Sequence, residues 1–190
     1  MGGLDAELGQ FPWLANLGYS HRGQTKYQCG GTLIGRRFVL TAAHCVTQLP
    51  RGYRATTIRV GEHDLDREGE CNGDNTLCSH VQDIDIDQIV FHQNYSKPKP
   101  FQNDIAVIKL ARDVVIDDTV SLVCLPYRDD EEDYEGDAEK EISTAVAGWG
   151  ATTGTGRKPA NILQYLEVAV TEAEDCRWVV WPPQSSHLTS

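Results

Sequence analysis

Two residues of this sequence are suited to proton-transfer chemistry, and each stands in a short patterned segment. His44 follows Thr-Ala-Ala and precedes Cys45, while Asp104 follows Asn103 and precedes an apolar run. An imidazole has an ordinary pKa of about 6.5, so it accepts a proton near neutral pH. A serine hydroxyl needs such a base to become a nucleophile, and a buried carboxylate holds the imidazole in one tautomer. A lone histidine is more often a core residue, and a lone aspartate more often caps a strand. The motifs around His44 and Asp104 are therefore needed to choose between a structural and a catalytic role.

The six cysteines indicate folding in an oxidising compartment. They are Cys29, Cys45, Cys71, Cys78, Cys124 and Cys176. Their number alone does not choose among the many pairings that are open to them. The sequence has no Cys-x-x-Cys pair and no two histidines at the spacing of a zinc site, so we expect no zinc.

The N-terminal residues and one sequon give information on whether the protein is secreted. Asn94 opens the sequence Asn-Tyr-Ser, which makes it a candidate for glycosylation and fits a secreted protein. The first six residues lack both the basic stretch and the apolar run of a signal peptide. We therefore expect that the front of a secreted chain is missing from these 190 residues.

The composition describes an acidic globular protein. The net charge is −11 and the isoelectric point is about 4.9, which argues against binding to nucleic acid or to anionic lipid. Nine acidic residues and one lysine lie between Asp129 and Glu141, and we interpret this run as a solvated surface loop. No stretch approaches the ~20 apolar residues of a membrane helix, so we expect no membrane partner.

Short strand patterns dominate the chain. Isoleucines at 84 and 86 alternate with aspartates at 83, 85 and 87, which is typical of a half-buried strand. The predicted strands before Cys124 are residues 11–19, 27–34, 38–41, 55–60, 81–91 and 104–110, and six strands suffice for a closed antiparallel barrel. Later in the chain only residues 143–149 and 162–171 have strand patterns, which are too few to close a second barrel.

The motifs around His44 and Asp104 resemble those of the chymotrypsin-fold serine endopeptidases. The resemblance also rests on Cys-Gly-Gly-Thr-Leu-Ile from Cys29 and on Ala-Gly-Trp-Gly from Ala147, and it covers about 170 residues in the order of that family. It implies an all-β, chymotrypsin-like fold of two antiparallel barrels. We expect residues 1–122 to form the first barrel and residues 123–190 an incomplete second one, within one peptidase-like domain.

The resemblance implies that His44 is the general base and Asp104 the acid that orients it. The family places its nucleophile in a Gly-Asp-Ser-Gly-Gly motif, and no such motif is present here. Mature members of the family begin with a sequence like Ile-Val-Gly-Gly, whereas Met1 here precedes Gly2 and Gly3. We therefore expect a chain truncated at both ends, with no nucleophile, that does not hydrolyse peptides.

The resemblance also implies how the cysteines pair. Cys29 is expected to bond with Cys45, and Cys71 with Cys78 across a short acidic loop. This extra bridge and the Gly-Glu-His-Asp segment at 61–64 resemble the clip-domain proteases of arthropod blood. In that subgroup the counterparts of Cys124 and Cys176 bond with cysteines that lie outside this sequence.

The segment 62–70 resembles the calcium loop of some family members. Its acidic residues could supply hard oxygen ligands to Ca²⁺, or they could simply form a solvated acidic loop: Glu62, Asp64, Asp66, Glu68 and Glu70. The sequence does not separate these alternatives, and we expect no required cofactor.

The sequence thus predicts a serine endopeptidase domain of a secreted proteolytic cascade. Its partners would be a protein substrate or another cascade protease, and its location extracellular. The alternative is a non-catalytic homologue that binds and regulates cascade proteases. The substrate preference is not readable from these residues.

Overall fold

The computed structural model describes residues 3–67, 69–125, 143–151 and 160–169. The elements in chain order are β1 (Leu4–Asp5), β2 (Leu14–His21), β3 (Gln24–Gly35), β4 (Phe38–Thr41), α1 (His44–Thr47), β5 (Arg54–Val60), β6 (Gln82–Phe91), β7 (Ala106–Leu110), β8 (Ser143–Gly148) and β9 (Gln164–Ala169). The fold is thus nearly all β, as predicted. The acidic run between Asp129 and Glu141 lies outside the described residues.

Six strands form a closed antiparallel barrel in the order β2-β3-β4-β7-β6-β5. Each strand contributes a side chain that is 2% exposed or less to the interior: Leu17, Leu33, Val39, Ile58, Ile84 and Ile108. Burial of apolar side chains from all six strands is the main source of stability for such a barrel. The predicted closed first barrel is therefore confirmed.

The alternation predicted for β6 holds over its first half. Ile84 is buried while Asp83, Asp85 and Asp87 are exposed. Between Ile86 and Gln88 the pairing with β7 shifts by one residue. An extra residue in one strand reverses which side chains face the core, which is why Ile89, and not Gln88, packs against it.

Strand β3 passes very close to β4 at Gly31. A Cβ atom there would lie 2.6 Å from Cγ1 of Val39 and 3.1 Å from the carbonyl oxygen of Leu40. Only a glycine fits this approach without displacing the core. Gly31 of the Cys-Gly-Gly-Thr-Leu-Ile motif is therefore required by a close approach of two strands.

A second, partial sheet has the order β1-β9-β8 among the described residues. It is joined to the barrel at His63, whose carbonyl oxygen accepts hydrogen bonds from the Leu163 backbone and from Nε1 of Trp149, at 2.9 and 3.1 Å. The two-residue strand β1 was not predicted. The predicted boundary at residues 122 and 123 stays a prediction.

No helix in the described parts of the chain is long and apolar enough to cross a membrane. The one helix described, α1, has four residues and was also not predicted. It begins at His44, directly after the turn that leaves β4.

Candidate active site

Barrel topology brings His44 and Asp104 to the same end of two paired strands. Strands β4 and β7 are antiparallel, and Thr41 at the end of β4 pairs with Ala106 at the start of β7. His44 lies three residues after Thr41, and Asp104 lies two residues before Ala106. The register of a single strand pair therefore places two residues that are 60 positions apart side by side.

The helix that carries His44 is fastened to the barrel at several points. The Cys29–Cys45 disulfide joins it to β3, and the Tyr19 hydroxyl donates a hydrogen bond to the carbonyl oxygen of Cys45 at 2.9 Å. Thr47 closes the turn through a hydrogen bond from Oγ1 to the carbonyl oxygen of Ala43 at 2.8 Å. These contacts fix the backbone of His44 from both sides.

The loop that carries Asp104 is held by its own side chains. Asn103 donates from Nδ2 to the carbonyl oxygen of Asn94 at 3.0 Å, and its backbone is left-handed with φ of 57°. Asparagine tolerates that conformation better than most residues, because its short amide can hydrogen-bond locally. Sequence reasoning missed Asn103 as a positioning residue, although asparagine directly before the carboxylate was a usable signal.

Both oxygens of Asp104 contact His44. Nδ1 of the ring lies 2.7 Å from Oδ2, and the backbone N–H of His44 donates to Oδ1 at 2.8 Å. Since a carboxylate only accepts when ionised, Nδ1 carries the proton and Nε2 is left as the basic nitrogen. This is the arrangement that a general base needs.

The electrostatic setting keeps Asp104 ionised. Partial burial of its carboxyl acts to raise the pKa, but the hydrogen bonds from the ring and backbone of His44 outweigh it and hold the pKa below its usual value. The His44 side chain is 48% exposed, so its ring is open to a reacting partner. Tyr95 lies beside this pair, and burial, followed by the charge of Asp104, raises the pKa of its hydroxyl.

No serine in the described parts of the chain is hydrogen-bonded to His44. The contact of Nε2 that the structure shows is with Sγ of Cys45 at 3.4 Å. Of the serines that follow Asp104 in the sequence, Ser121 is half-buried in the segment after the barrel and Ser143 begins β8. Ser185, Ser186 and Ser190 lie outside the described residues.

The two expected disulfides are both present, Cys29–Cys45 and Cys71–Cys78. Cys124 is exposed and has no disulfide partner among the described residues. Cys176 lies outside them.

The acidic residues of the segment 62–70 do not share one environment. Both oxygens of Glu62 are engaged, by the Arg59 guanidinium at 3.1 Å and by the backbone N–H of His63 at 3.0 Å. Burial raises the pKa of Glu62 despite these contacts. In contrast, Oε2 of Glu70 is buried and has no hydrogen-bond partner among the described residues.

A buried carboxylate oxygen without a partner is costly, and a hard cation would satisfy it. Glu70 is thus the residue of this segment that fits Ca²⁺ best. Asp64 and Asp66 have partners within the loop or on Asn161, and Glu68 lies outside the described residues.

Comparisons with known proteins agree with this geometry. The trypsin family model matches residues 1–187. The CLIP domain-containing serine protease HP8 of Bombyx mori is 37% identical over 92% of this chain and 47% of its own length. The phenoloxidase-activating factor 3 of Holotrichia diomphalia is 39% identical, over 93% of this chain and 49% of its own.

A solved structure supports the same relationship. The Grass clip serine protease of the Drosophila Toll pathway superposes with a TM-score of 0.75 at 31% identity, over 93% of this chain and 48% of that one. The chain thus spans about half the length of the curated relatives it matches. From its sequence and its fold, this chain belongs to the trypsin family.

Proposed function

We propose that this chain is the peptidase-like domain of a secreted proteolytic cascade, with His44 as general base and Asp104 as the residue that orients it. The observation that carries the proposal is the pair of hydrogen bonds through which His44 reaches both oxygens of Asp104, at 2.7 and 2.8 Å. The assignment to a cascade is supported by the names of the relatives, which include a phenoloxidase-activating factor and a protease of the Toll pathway.

The proposal gives each residue a step in the reaction. Nε2 of His44 removes the proton of a serine hydroxyl as that oxygen attacks a peptide carbonyl, and Asp104 stabilises the imidazolium that forms. The same Nε2 then gives the proton to the departing amine. Throughout this cycle Asp104 keeps the ring in the orientation that leaves Nε2 free.

The sequence has no Gly-Asp-Ser-Gly-Gly motif to supply that serine. We therefore expect that the 190-residue chain alone is not phosphonylated by a fluorophosphonate probe, under conditions in which trypsin is labelled. Labelling of any serine in the chain would contradict this part of the proposal.

The role of Asp104 can be tested in a chimera. Residues 1–149 of this chain would be joined to the later segment of a relative that has the Gly-Asp-Ser-Gly-Gly motif. We expect Asp104→Asn to lower kcat by about 10⁴-fold, because the amide favours the wrong tautomer of His44. The exposed Asp85→Asn is the matched control and should change kcat little; an equal loss in both variants would overturn the assignment.

The second candidate function is a non-catalytic homologue that regulates a cascade protease, and it makes a different prediction. The intact chain would then bind an active protease of this family and change its kcat or KM. Measuring those constants with and without added chain separates the two candidates, since a peptidase domain without its nucleophile has no such effect.

We further propose that Ca²⁺ binds beside Glu70, which the unpartnered buried Oε2 supports. The Tm should rise when millimolar Ca²⁺ replaces a chelator, because a ligand that binds only the folded state stabilises it. Glu70→Gln should abolish the rise, while the exposed Asp74→Asn should keep it. An unchanged Tm in the parent chain would favour a simple solvated loop.

A further inference from the structure

The sequon at Asn94 lies in the turn that follows β6. The backbone of Asn94 is fixed, since its N–H donates to Nδ1 of His92 at 3.1 Å and its carbonyl oxygen accepts from Asn103 and from the N–H of Lys97. Its side chain is exposed and forms no hydrogen bond with any residue that the structure describes. The turn therefore holds the backbone in place and leaves the side-chain amide available.

The other two residues of the sequon point to different surroundings. Tyr95 has a buried hydroxyl, so it is the residue of the three that faces the protein. Oγ of Ser96 accepts a hydrogen bond from the backbone N–H of Phe101 at 3.3 Å. Of the three, Asn94 alone is exposed, while Tyr95 and Ser96 are half-buried.

An exposed aromatic ring lies at the start of the same turn. Phe91 precedes Asn94 by three residues and is 49% exposed. The turn is closed by a hydrogen bond from the N–H of Tyr95 to the carbonyl oxygen of His92 at 2.9 Å, and Phe91 directly precedes this turn in the chain. Covering a phenylalanine ring that is this exposed removes apolar surface from water. The C–H face of a sugar ring can pack on such a ring.

We propose that Asn94 carries an N-linked oligosaccharide whose first sugar packs on the ring of Phe91. This inference rests on the proposed secretion of the chain, because the modification takes place in the secretory pathway. In the transfer, Nδ2 of Asn94 bonds to the anomeric carbon of an oligosaccharide held on a lipid diphosphate. The bond from that carbon to the diphosphate oxygen breaks, the lipid diphosphate leaves with the electron pair, and Nδ2 loses one proton.

The oligosaccharide would stand on the loop that carries Asp104. The carbonyl oxygen of Asn94 is hydrogen-bonded to Asn103, the residue next to Asp104 in sequence. Protein partners that approach His44 from this side would therefore meet the sugar.

The modification can be tested on the 190-residue chain, produced in insect cells behind a secretion leader and recovered from the medium. Mass spectrometry of the peptide that contains Asn94 should show an attached oligosaccharide, which Asn94→Gln removes and Ser96→Thr keeps. An unmodified Asn94 in the secreted chain would overturn the proposal. That outcome is distinct from a failure of the proposed function, which is judged on Asp104 in the chimera.

Packing on Phe91 can be tested by thermal unfolding of the same secreted protein. The Tm of the glycosylated chain should exceed that of Asn94→Gln by on the order of 2 °C. In a Phe91→Ala background this difference should vanish, whereas Val90→Ala, which removes a neighbouring side chain that is 56% exposed, should preserve it. A difference that persists without Phe91 would show that the sugar does not pack there.

Discussion

The closed barrel and the three-stranded sheet bury their apolar residues to different extents. Every barrel strand has an interior side chain that is 2% exposed or less, whereas Leu4, Val146 and Leu166 of the sheet are 62, 60 and 46% exposed. A closed barrel also pairs every strand on both sides, which an open sheet of three described strands does not. The barrel therefore stabilises itself, and the described part of the sheet adds much less.

This difference matters for the candidate active site, because His44 and Asp104 both depend on the barrel. The helix of His44 is fastened through Tyr19 and Cys29, and Asp104 is positioned by the pairing of β4 with β7. None of these contacts involves the second sheet. One barrel is therefore enough to bring His44 and Asp104 together.

The largest expected contrast comes from the same truncation in each region. Leu33→Ala removes a side chain that is fully buried in the barrel, and should lower the free energy of unfolding by about 2–5 kcal/mol. Leu166→Ala in the sheet should lower it by less than about 0.5 kcal/mol, since that side chain is 46% exposed. Urea unfolding followed by tryptophan fluorescence measures both. Equal losses would contradict the difference in burial between the barrel and the sheet.

The disulfide that fastens α1 should contribute next. Replacing both Cys29 and Cys45 with alanine frees a loop with a sequence separation of 16 and should cost about 3 kcal/mol. The matched double variant at Cys71 and Cys78, with a separation of 7, should cost about 2.5 kcal/mol. Only the first should also change the NMR signals of His44. A change of those signals in the second variant alone would show that α1 is held differently.

Two glycines provide a further test of the difference between the barrel and the sheet, with a smaller expected effect on stability. Gly61 next to the barrel has φ of 73°, and a Cβ there would lie 2.6 Å from the carbonyl oxygen of His80, so Gly61→Ala should cost about 1–3 kcal/mol. A Cβ at Gly148 of the sheet would meet nothing within 4 Å. Gly148→Ala should therefore change the free energy of unfolding by less than about 1 kcal/mol. Differential scanning calorimetry measures both variants, and equal losses would contradict this difference between the two glycines.

The smallest expected effect is a pH dependence on the outer face of the barrel. Arg59 binds both oxygens of Asp83, at 2.8 and 2.7 Å, and these hydrogen bonds hold the pKa of Asp83 below its usual value against the effect of burial. A lowered pKa stabilises the fold above the unfolded-state pKa of about 3.9, and this stabilisation is lost as the pH falls through the folded-state value.

Unfolding in urea between about pH 5 and pH 2 should therefore depend less on pH in Asp83→Asn than in the parent chain. The exposed Asp85→Asn is the control on the same strand and should retain the parent's slope. If Asp83→Asn and the parent chain had the same slope, Arg59 would not be stabilising the ionised carboxylate.

Much of the barrel was predictable, because the alternation of apolar and polar residues in a half-buried strand is visible in the sequence. The prediction for 38–41 matches β4, and that for 55–60 differs from β5 by one residue. The prediction for 11–19 began too early, since Pro12 lacks the N–H that a strand needs and β2 begins at Leu14. The end of the strand predicted for 162–171 lies outside the described residues.

Other features depend on contacts that a linear pattern does not record. The four-residue helix α1 is too short for a helical period to show, and β1 exists through its pairing with Tyr165 and Gln164, which are 159 or more residues away. The meeting of His44 with Asp104 was expected from the resemblance, but its physical cause is the register of β4 with β7. The role of Asn103 became clear from the loop geometry, although its place directly before Asp104 was a usable signal.

The most direct test of the account is the position of the proton on the His44 ring, measured by ¹⁵N NMR at a pH where the ring is neutral. We expect the proton on Nδ1, held by Asp104 at 2.7 Å, and its transfer to Nε2 in Asp104→Asn. Asp113→Asn, a variant of an exposed carboxylate that pairs with Arg37, should leave it on Nδ1. A parent chain with the proton on Nε2, unchanged by Asp104→Asn, would contradict the pairing of base and acid.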